Sequence, residues 1–343
     1  MDKSLNQSLK LVSVVMSVYN GETYLREAID SILNQTYSNF ECIVINDGSS
    51  DKSLSIIKSY TDNRIVLINN EVNKGLIYSL NKGIEIAKGD YITRMDADDI
   101  SLPNRFEEQL KAFQFQPSAV VVSSDYYLLN KDKLSLIQTN FSNQSLKTIL
   151  LFTPCFCHPT VMIKNVFKEK NLYYNKEFIH AEDYKLWTDL AFCGNFYNIP
   201  IPLLKYRSHP SQISTLNKNT QLQISATIRK NYLHNLRFNL SDQQFKTLNF
   251  IGNNEFITSK ITLIEIENCL NELVNQNTKN SKFDTTEFNK VIFKFWLDSC
   301  GYSNLGITAY KLFFKSNLSS FENLSVIQKN KFLVKCLIRK FKH

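Results

Sequence analysis

The stretch Ile92-Thr93-Arg94-Met95-Asp96-Ala97-Asp98-Asp99 decides how this chain is read. The residues around its start, Gly89-Asp90-Tyr91-Ile92, read as a strand, so three carboxylates follow a strand end within four residues. Like charges packed that tightly repel one another unless a cation shares them. A hard divalent ion suits the task, because Mg²⁺ or Mn²⁺ takes one or two carboxylates and completes its shell with phosphate oxygens. The carboxyl end of a sheet strand is also where an open α/β fold receives a nucleotide. The alternative is an acidic turn capping the helix expected after Pro103, since Asp is favoured at helix starts.

Outward from that stretch, strand-like and helix-like segments alternate at short spacing. Leu11 to Val18 is a nearly continuous apolar run, as expected of a strand buried on both faces. Residues 22 to 35 place Tyr24, Leu25, Ala28, Ile29, Ile32 and Leu33 on one helical face. A strand over Phe40 to Ile45, a helix over Asp51 to Tyr60 and a strand over Arg64 to Ile68 follow. A helix over 74 to 88 would bury Leu76, Leu80, Ile84 and Ala87 and stop at Gly89. This order predicts an α/β fold, a Rossmann-like, mostly parallel sheet with helices on both faces.

A helix (104 to 115) and a strand (119 to 124) continue the pattern, 125 to 165 is less regular, and an αβ pattern resumes at 181 to 207. Near Ser214 Gly and Pro nearly vanish, and Lys, Asn, Leu, Ile and Phe take over with helical periodicity. The expected organisation is an α/β domain over 10–215 and a C-terminal, mainly helical region over 216–343.

With 343 residues, 43% hydrophobic and 21% charged, the chain has enough apolar side chain for a real core and room for two domains. Its net charge of +8 fits an anionic substrate or membrane surface, and the basic residues are not interleaved with aromatics in any RNA-binding motif. No nucleic-acid partner is expected. Seven scattered cysteines, odd in number, read as free thiols of a reducing compartment. No apolar run reaches the length of a membrane span, and the polar start lacks a signal-peptide core, so a cytoplasmic protein is expected.

Two more strand ends carry polar turns. In Met16-Ser17-Val18-Tyr19-Asn20-Gly21 a hydroxyl and an aromatic face can hold a planar base. In Asn46-Asp47-Gly48-Ser49-Ser50-Asp51 the Asp47 carboxylate can accept the imide N–H of a uracil. Asn, Asp, Gly and Ser are also ordinary turn residues, and that reading stands beside the functional one.

Val12 to Asp51 closely resembles the opening of family 2 glycosyltransferases, and Asn73 to Arg105 resembles their next block, which contains a D-x-D element. Cys157-His158-Pro159-Thr160, Ala181-Glu182-Asp183-Tyr184-Lys185-Leu186-Trp187 and Tyr206-Arg207-Ser208-His209 are similar to later blocks, in the expected order over about residues 10 to 215. The resemblance implies a GT-A fold, a nucleotide-sugar donor, a divalent cofactor (Mn²⁺ or Mg²⁺) and inversion at the anomeric carbon. By the same resemblance Ser17, Tyr19, Asp47, Asp96 and Ala97 correspond to nucleotide contacts. Asp96 lies near both ribose and metal, Asp98 is the direct metal ligand, and Asp183 is the catalytic base with Glu182 beside it. Leu80 stands where relatives often carry Arg.

Other positions keep two readings. Glu182 and Asp183 also suit the first turn of a helix, where the macrodipole favours acids. His209 is either a further metal ligand or a hydrogen-bonded surface histidine, and Arg207 can meet a diphosphate bidentately. His158 lines an acceptor pocket or only shapes a turn; Trp187 offers a platform to a sugar ring or packs in the core. The tail Lys329 to His343 places Val334, Leu337, Ile338 and Phe341 on one stripe and Lys331, Lys335, Arg339 and Lys342 on another, a pattern suited to an anionic membrane surface.

The expected function is transfer of a hexose or N-acetylhexosamine from a UDP-sugar to a growing surface glycan or lipid-linked oligosaccharide, at the inner face of the cytoplasmic membrane. A silent nucleotide-sugar or glycan-binding module needs no base, which Asp183 would supply. A sugar nucleotidyltransferase usually opens with a Gly-rich basic phosphate loop, which Ser17 to Glu22 lacks.

Overall fold

The computed structural model describes residues 9–139, 141–209 and 217–340. Two compact units separate: one runs through Asn140 and again from Phe156 to Gln221, the other takes Phe141–Cys155 and the chain from Leu222 onward.

The first unit is built on a nine-stranded sheet. Strands β1 (Val12–Val18), β2 (Phe40–Asp47), β3 (Ile65–Asn70) and β4 (Tyr91–Asp96) are parallel, with β1 between β2 and β4. The chain winds outward through β2 and β3, then returns to place β4 on the other side of β1, so a topological switch point falls between β1 and β4. Val12, Val14, Met16 and Val18 face helices α1 (Leu25–Leu33) and α4 (Arg105–Phe115), against Leu25, Ile29, Ile32, Phe106 and Phe113. On the opposite face α3 (Leu76–Ile86) comes close at Gly83, where a Cβ would lie 2.4 Å from Val15 Cγ1. Burial on both faces accounts for the unbroken apolar runs.

Beyond β4 the sheet becomes mixed. β5 (Ile100–Ser101), β6 (Ala119–Asn130), β7 (Lys133–Ile137), β8 (Met162–Lys164) and β9 (Asn195–Ser208) complete it. β8 is antiparallel to β4 and β6, β7 closes a hairpin on β6, and β9 runs parallel to β6. β5 pairs antiparallel with β9, Ile100 opposite Lys205 and Ser101 opposite Leu204. Short helices α2 (Ser53–Lys58), α6 (Phe167–Lys170) and α7 (Glu182–Leu190) fill the connections, and α5 (Asn143–Ile149) belongs to the second unit.

The second unit is otherwise formed by α8 (Lys218–Asn235), which starts at the end of the first, α9 (Asp242–Gly252), α10 (Lys260–Asn280), α11 (Thr285–Gly301), α12 (Ile307–Lys315) and α13 (Val326–Lys340). Side-chain caps start several of them: Ser241 and Gln244 form a capping box on α9, and Ser259 and Asp284 cap α10 and α11. Leu263, Ile266, Leu270 and Leu273 of α10 and Phe288, Ile292 and Trp296 of α11 recur at helical spacing and are buried.

Helix α13 has two apolar faces. Phe332 and Cys336 are buried, Phe332 packing on the Phe313 ring at 4.8 Å, while Val326, Ile327, Val334, Leu337 and Ile338 are exposed. Lys335 lies against Gly301 with Nζ 3.6 Å from Asp298 Oδ1, so it serves docking. Phe341 and Lys342 of the expected stripes, and the Arg339 side chain, lie outside the described residues. No helix among the described residues is long and apolar enough to cross a membrane.

Candidate active site

Strand register brings the polar strand ends together. Ser17 is level with Asp96 across the β1–β4 pair and with Ile45 across β1–β2, so Asp47 emerges at the same sheet edge. Tyr19, 53% exposed, follows Ser17 at this edge. Ala97 approaches the β1 turn, since a Cβ on Gly21 would lie 3.5 Å from its methyl.

Many turn residues are committed to each other. Asn20 N donates to Ser49 Oγ at 3.0 Å, Ser50 N to Asn20 Oδ1 at 2.9 Å, and Glu22 N to Asp51 Oδ2 at 2.9 Å. Asp47 is buried and shapes the neighbouring loop: Oδ1 accepts from Asn70 Nδ2 (2.7 Å) and Lys74 N (3.0 Å), and Oδ2 from Gly75 N (2.8 Å). A carboxylate has about four lone-pair sites, so roughly one remains for a ligand. Gly48 is required by this loop; its φ is +68° and a Cβ there would sit 2.4 Å from Val72 C.

Past β4, carboxylate oxygens of Asp96, Asp98 and Asp99 lie within 4.8 Å of one another. The β5–β9 pair fixes them from the far side. Arg207 N donates to Asp99 Oδ1 at 2.8 Å, Arg207 Nε donates to the Asp98 carbonyl at 2.8 Å, and His209 Nε2 lies 2.8 Å from Asp98 Oδ2. Asp99 Oδ2 is buried with no hydrogen-bond partner among the described residues. Burial, then the charges of Asp96 and Asp98, pushes the Asp99 carboxyl well above the usual carboxylate range. Asp96, ion-paired with Arg94, is also pushed up, chiefly by burial. Three converging carboxylates with one orphaned buried oxygen suit a hard divalent cation. The carboxylate set is therefore Asp96, Asp98 and Asp99, with His209 attached to it through Asp98.

At the start of α7 stand the two remaining acids. The chain enters through His180 at φ +68°, a conformation unusual for a residue with a side chain, and its carbonyl is held by Gln221 Nε2 at 2.8 Å. Glu182 is buried and its carboxyl is pushed up by that burial. Asp183 is half-buried, with Oδ1 accepting from Tyr184 N at 2.7 Å, and burial followed by the charge of Glu182 raises it to about 7. Close to neutrality, such a carboxylate can both take and release a proton.

For two candidate ligand contacts the structure favours the structural role. Trp187 is 0% exposed, its ring edge-on to Phe156 and to His158, so it is a core aromatic with no face to present to a sugar. Arg207 turns inward: besides the Asp98 carbonyl it bonds Glu27 Oε2 at 2.5 Å, with its guanidinium 4.3 Å over the Tyr24 ring, so it braces the acidic loop. His158 Nε2 lies 2.7 Å from Tyr174 OH, and burial, aided by the positive charge of Arg94, holds the imidazole far below its ordinary value and hence neutral. Asn81 brackets the Tyr174 backbone through its carbonyl (2.8 Å) and N–H (2.9 Å), and Leu80 beside it is buried.

Asp99, one of the three clustered acids but given no role of its own from the sequence, belongs to the carboxylate set. Two participants escaped the sequence: Arg94 holds Asp96, and Arg105, fully buried, ties Thr93 Oγ1 (2.6 Å) to the carbonyls of Arg94 (3.0 Å) and Val161 (3.2 Å). The available signal was a charged residue inside an apolar strand, as at Arg94 between Ile92 and Met95.

A parallel sheet with polar strand ends at its switch point, a carboxylate triad there and a carboxylate raised to about 7 on a separate helix fit a nucleotide-dependent group transferase. Residues 13–176 match the family described as glycosyl transferase family 2. An uncharacterised glycosyltransferase of Haemophilus influenzae is 31% identical over 339 residues, covering 94% of this chain and 97% of that protein. The O-antigen biosynthesis glycosyltransferase WbnJ of Escherichia coli is 37% identical over 220 residues, 62% of this chain and 83% of WbnJ. Among solved structures, TarS 1-349 of S. aureus in complex with UDP-GlcNAc superimposes with TM-score 0.57 at 17% identity, covering 85% of this chain and 86% of that one. Mannosyltransferase PcManGT of Pyrobaculum calidifontis, in complex with GDP-Man and Mn²⁺, gives 0.51 at 14% identity over 96% and 87%. These structural likenesses bear on the fold, which is GT-A with a helical C-terminal region. The chain belongs to glycosyl transferase family 2 and is a glycosyltransferase.

Proposed function

We propose that the protein is an inverting, metal-dependent transferase that moves a hexose or N-acetylhexosamine from a UDP-sugar to a hydroxyl of a growing surface glycan or lipid-linked oligosaccharide. The observation that carries this reading is the pairing of the Asp96–Asp98–Asp99 cluster with Asp183, a half-buried carboxylate raised to about 7. Ser17, Tyr19, Asp47 and Ala97 take the nucleoside and Asp96 the ribose side. Asp96, Asp98 and Asp99 would hold Mn²⁺ or Mg²⁺, with His209 steadying Asp98 or joining as a ligand. A divalent cation there offsets the charge that builds on the departing diphosphate.

The protein's own chemical step is one proton transfer. The acceptor oxygen attacks the anomeric carbon opposite the diphosphate, the carbon–oxygen bond to phosphate breaks with its electron pair, and Asp183 takes the hydroxyl proton. One displacement inverts the centre and needs no protein nucleophile. Glu182 keeps Asp183 from ionising too readily and can bond a sugar hydroxyl. His158, neutral and held by Tyr174, lines the acceptor side. The name of WbnJ supports a polysaccharide acceptor, and TarS with UDP-GlcNAc supports a uridine donor.

Work on a lipid-linked acceptor would place the enzyme on the inner face of the cytoplasmic membrane. Supporting this are the exposed apolar face of α13 (Val326, Ile327, Val334, Leu337, Ile338), the exposed Lys329 and Lys331, and the lack of any acid after Glu322. Changing Val334, Leu337 and Ile338 to Ser leaves Phe332 and Cys336 in place and should release the protein from anionic vesicles. Unchanged partitioning would sink the membrane assignment.

The main test is nucleotide release with Mn²⁺ across UDP-hexoses, UDP-N-acetylhexosamines and GDP-mannose, comparing wild type with Asp98→Ala and Asp183→Asn. Metal-dependent turnover of one UDP-sugar, lost in both variants, is expected. Turnover of GDP-mannose alone would refute the uridine assignment, and full activity of Asp183→Asn would refute the base.

A further inference from the structure

Arg94 lies two residues before Asp96 on β4, so both side chains leave the same face of the strand. It is 7% exposed and lines a small, mostly apolar cavity with Val15, Leu80, Ile84, Phe167 and Tyr174. A guanidinium in such surroundings is costly unless paired. Its Nη1 forms an ion pair with Asp96 Oδ2, and its Nε has no hydrogen-bond partner among the described residues. Other cations near the cluster are occupied differently: Arg105 binds Thr93 and two backbone carbonyls, and Arg207 binds the Asp98 carbonyl and Glu27. Among the described residues Arg94 is the one guanidinium ion-paired to a carboxylate of the triad.

We infer that Arg94 is a positioning residue of the transfer: it anchors one oxygen of Asp96 below the site so that the carboxylate is presented to the metal–nucleotide in a single orientation. The inference rests on the metal–nucleotide reading above. Three carboxylates with one resident guanidinium carry a net of two negative charges when all are ionised, which one divalent cation neutralises. Without Arg94, Asp96 would be free to turn, and the site would present one more negative charge to the diphosphate of the metal–nucleotide. A neutral apolar side chain of similar length would fill the cavity but supply neither effect.

The test is calorimetric binding of UDP, with and without Mn²⁺, to wild type, Arg94→Met, Arg94→Lys, Asp96→Asn and the double variant Arg94→Met/Asp96→Asn, each checked by circular dichroism. Groups that orient a metal ligand typically matter about 10–100-fold in metal affinity, so Arg94→Met should weaken Mn²⁺–UDP binding at least about tenfold. UDP alone should be affected less, Arg94→Lys should recover part of the loss, and the double variant should bind no worse than Asp96→Asn, since both changes act through one carboxylate. Binding by folded Arg94→Met within about twofold of wild type, equal losses with and without Mn²⁺, or additive losses in the double variant would each overturn the assignment. Should Arg94→Met not fold, Arg94→Lys decides: it keeps the charge but not the planar fork, and wild-type affinity in it overturns the proposal. Wild type that binds no uridine nucleotide would overturn the donor reading, and this one with it; wild type that binds while Arg94→Met is unaffected overturns this one alone.

Discussion

Replacing Asp183 by Asn should stop the enzyme and stabilise it at the same time. The carboxyl is raised from 3.8 to about 7 by burial and by the neighbouring charge of Glu182. Below pH 3.8 the folded and unfolded chains both hold the proton, and the group does not affect stability. Between there and about pH 7 the folded chain keeps a proton that the unfolded chain has released, so stability falls as pH rises. Above about pH 7 the whole cost is present. At 1.36 kcal/mol per pH unit the ceiling is about 4 kcal/mol, and solvent reaching a half-buried carboxylate reduces it to about 1–3 kcal/mol.

Asn removes the charge and keeps an oxygen for the Tyr184 N–H, now bonded at 2.7 Å. In metal-free buffer, urea unfolding followed by circular dichroism should show the variant more stable than wild type by about 1–3 kcal/mol at pH 8, with the gap closing toward pH 4. Loss of the base should lower kcat by about 10²–10⁴. A variant no more stable than wild type at pH 8, or a gap that does not depend on pH, would refute the claim that the fold holds Asp183 against ionisation.

Other consequences are simpler to check. For wild type, kcat/KM should fall below about pH 7, because the base must be ionised to accept a proton; a profile flat from pH 5 to 8 would count against Asp183. Trp187→Ala should lower stability by about 3–5 kcal/mol in urea unfolding, as for a large core aromatic; a loss under about 1 kcal/mol would refute its place in the core. Gly48→Ala imposes a Cβ on a left-handed φ and on the Val72 backbone, so it should lose more than about 1 kcal/mol and weaken UDP binding by displacing Asp47. A Gly48→Ala protein as stable as wild type would mean that the 72–75 loop yields easily.

The parallel half of the sheet could be read from the chain because β1 and β2 are buried on both faces and must be apolar throughout. The same rule fails beyond Ser124. β6 continues to Asn130 because it pairs with β7 on one edge and with β9, about eighty residues on, at the other, and β7 (Lys-Leu-Ser-Leu-Ile) is almost wholly exposed, so no burial pattern marks this stretch. The stretch that looked irregular in sequence also contains α5, which belongs to the other unit: Ser145 Oγ bonds Glu287 Oε2 at 2.9 Å and Phe152 stacks on Phe295 at 4.0 Å. Partners so distant in sequence leave no local period to detect.

The site shows the same division. Asp96, Asp98 and Asp183 could be singled out because their chemistry is local: a strand end followed by acids, and an acidic pair opening a helix. Arg207 could be picked out but its inward role could not, because that role depends on β5 pairing with β9, a contact across about a hundred residues that aligns its N–H with Asp99 and its Nε with the Asp98 carbonyl. The pairing also explains why so short a strand as β5 matters. Two residues of ladder clamp the acidic loop between β4 and β9, so three mutually repelling carboxylates stay within 4.8 Å without having to be held by a loop alone. Loosening that clamp, for instance by Arg207→Ala, removes the Asp98 carbonyl and Glu27 contacts but leaves every carboxylate in the chain. Metal–nucleotide affinity should then fall by about tenfold, as for other groups that orient a ligand, with the triad itself chemically intact. If Mn²⁺–UDP bound Arg207→Ala as it binds wild type, the Arg207 side chain would have no part in holding the triad, and the β5–β9 ladder with the Arg207 N–H bond to Asp99 would suffice beside β4.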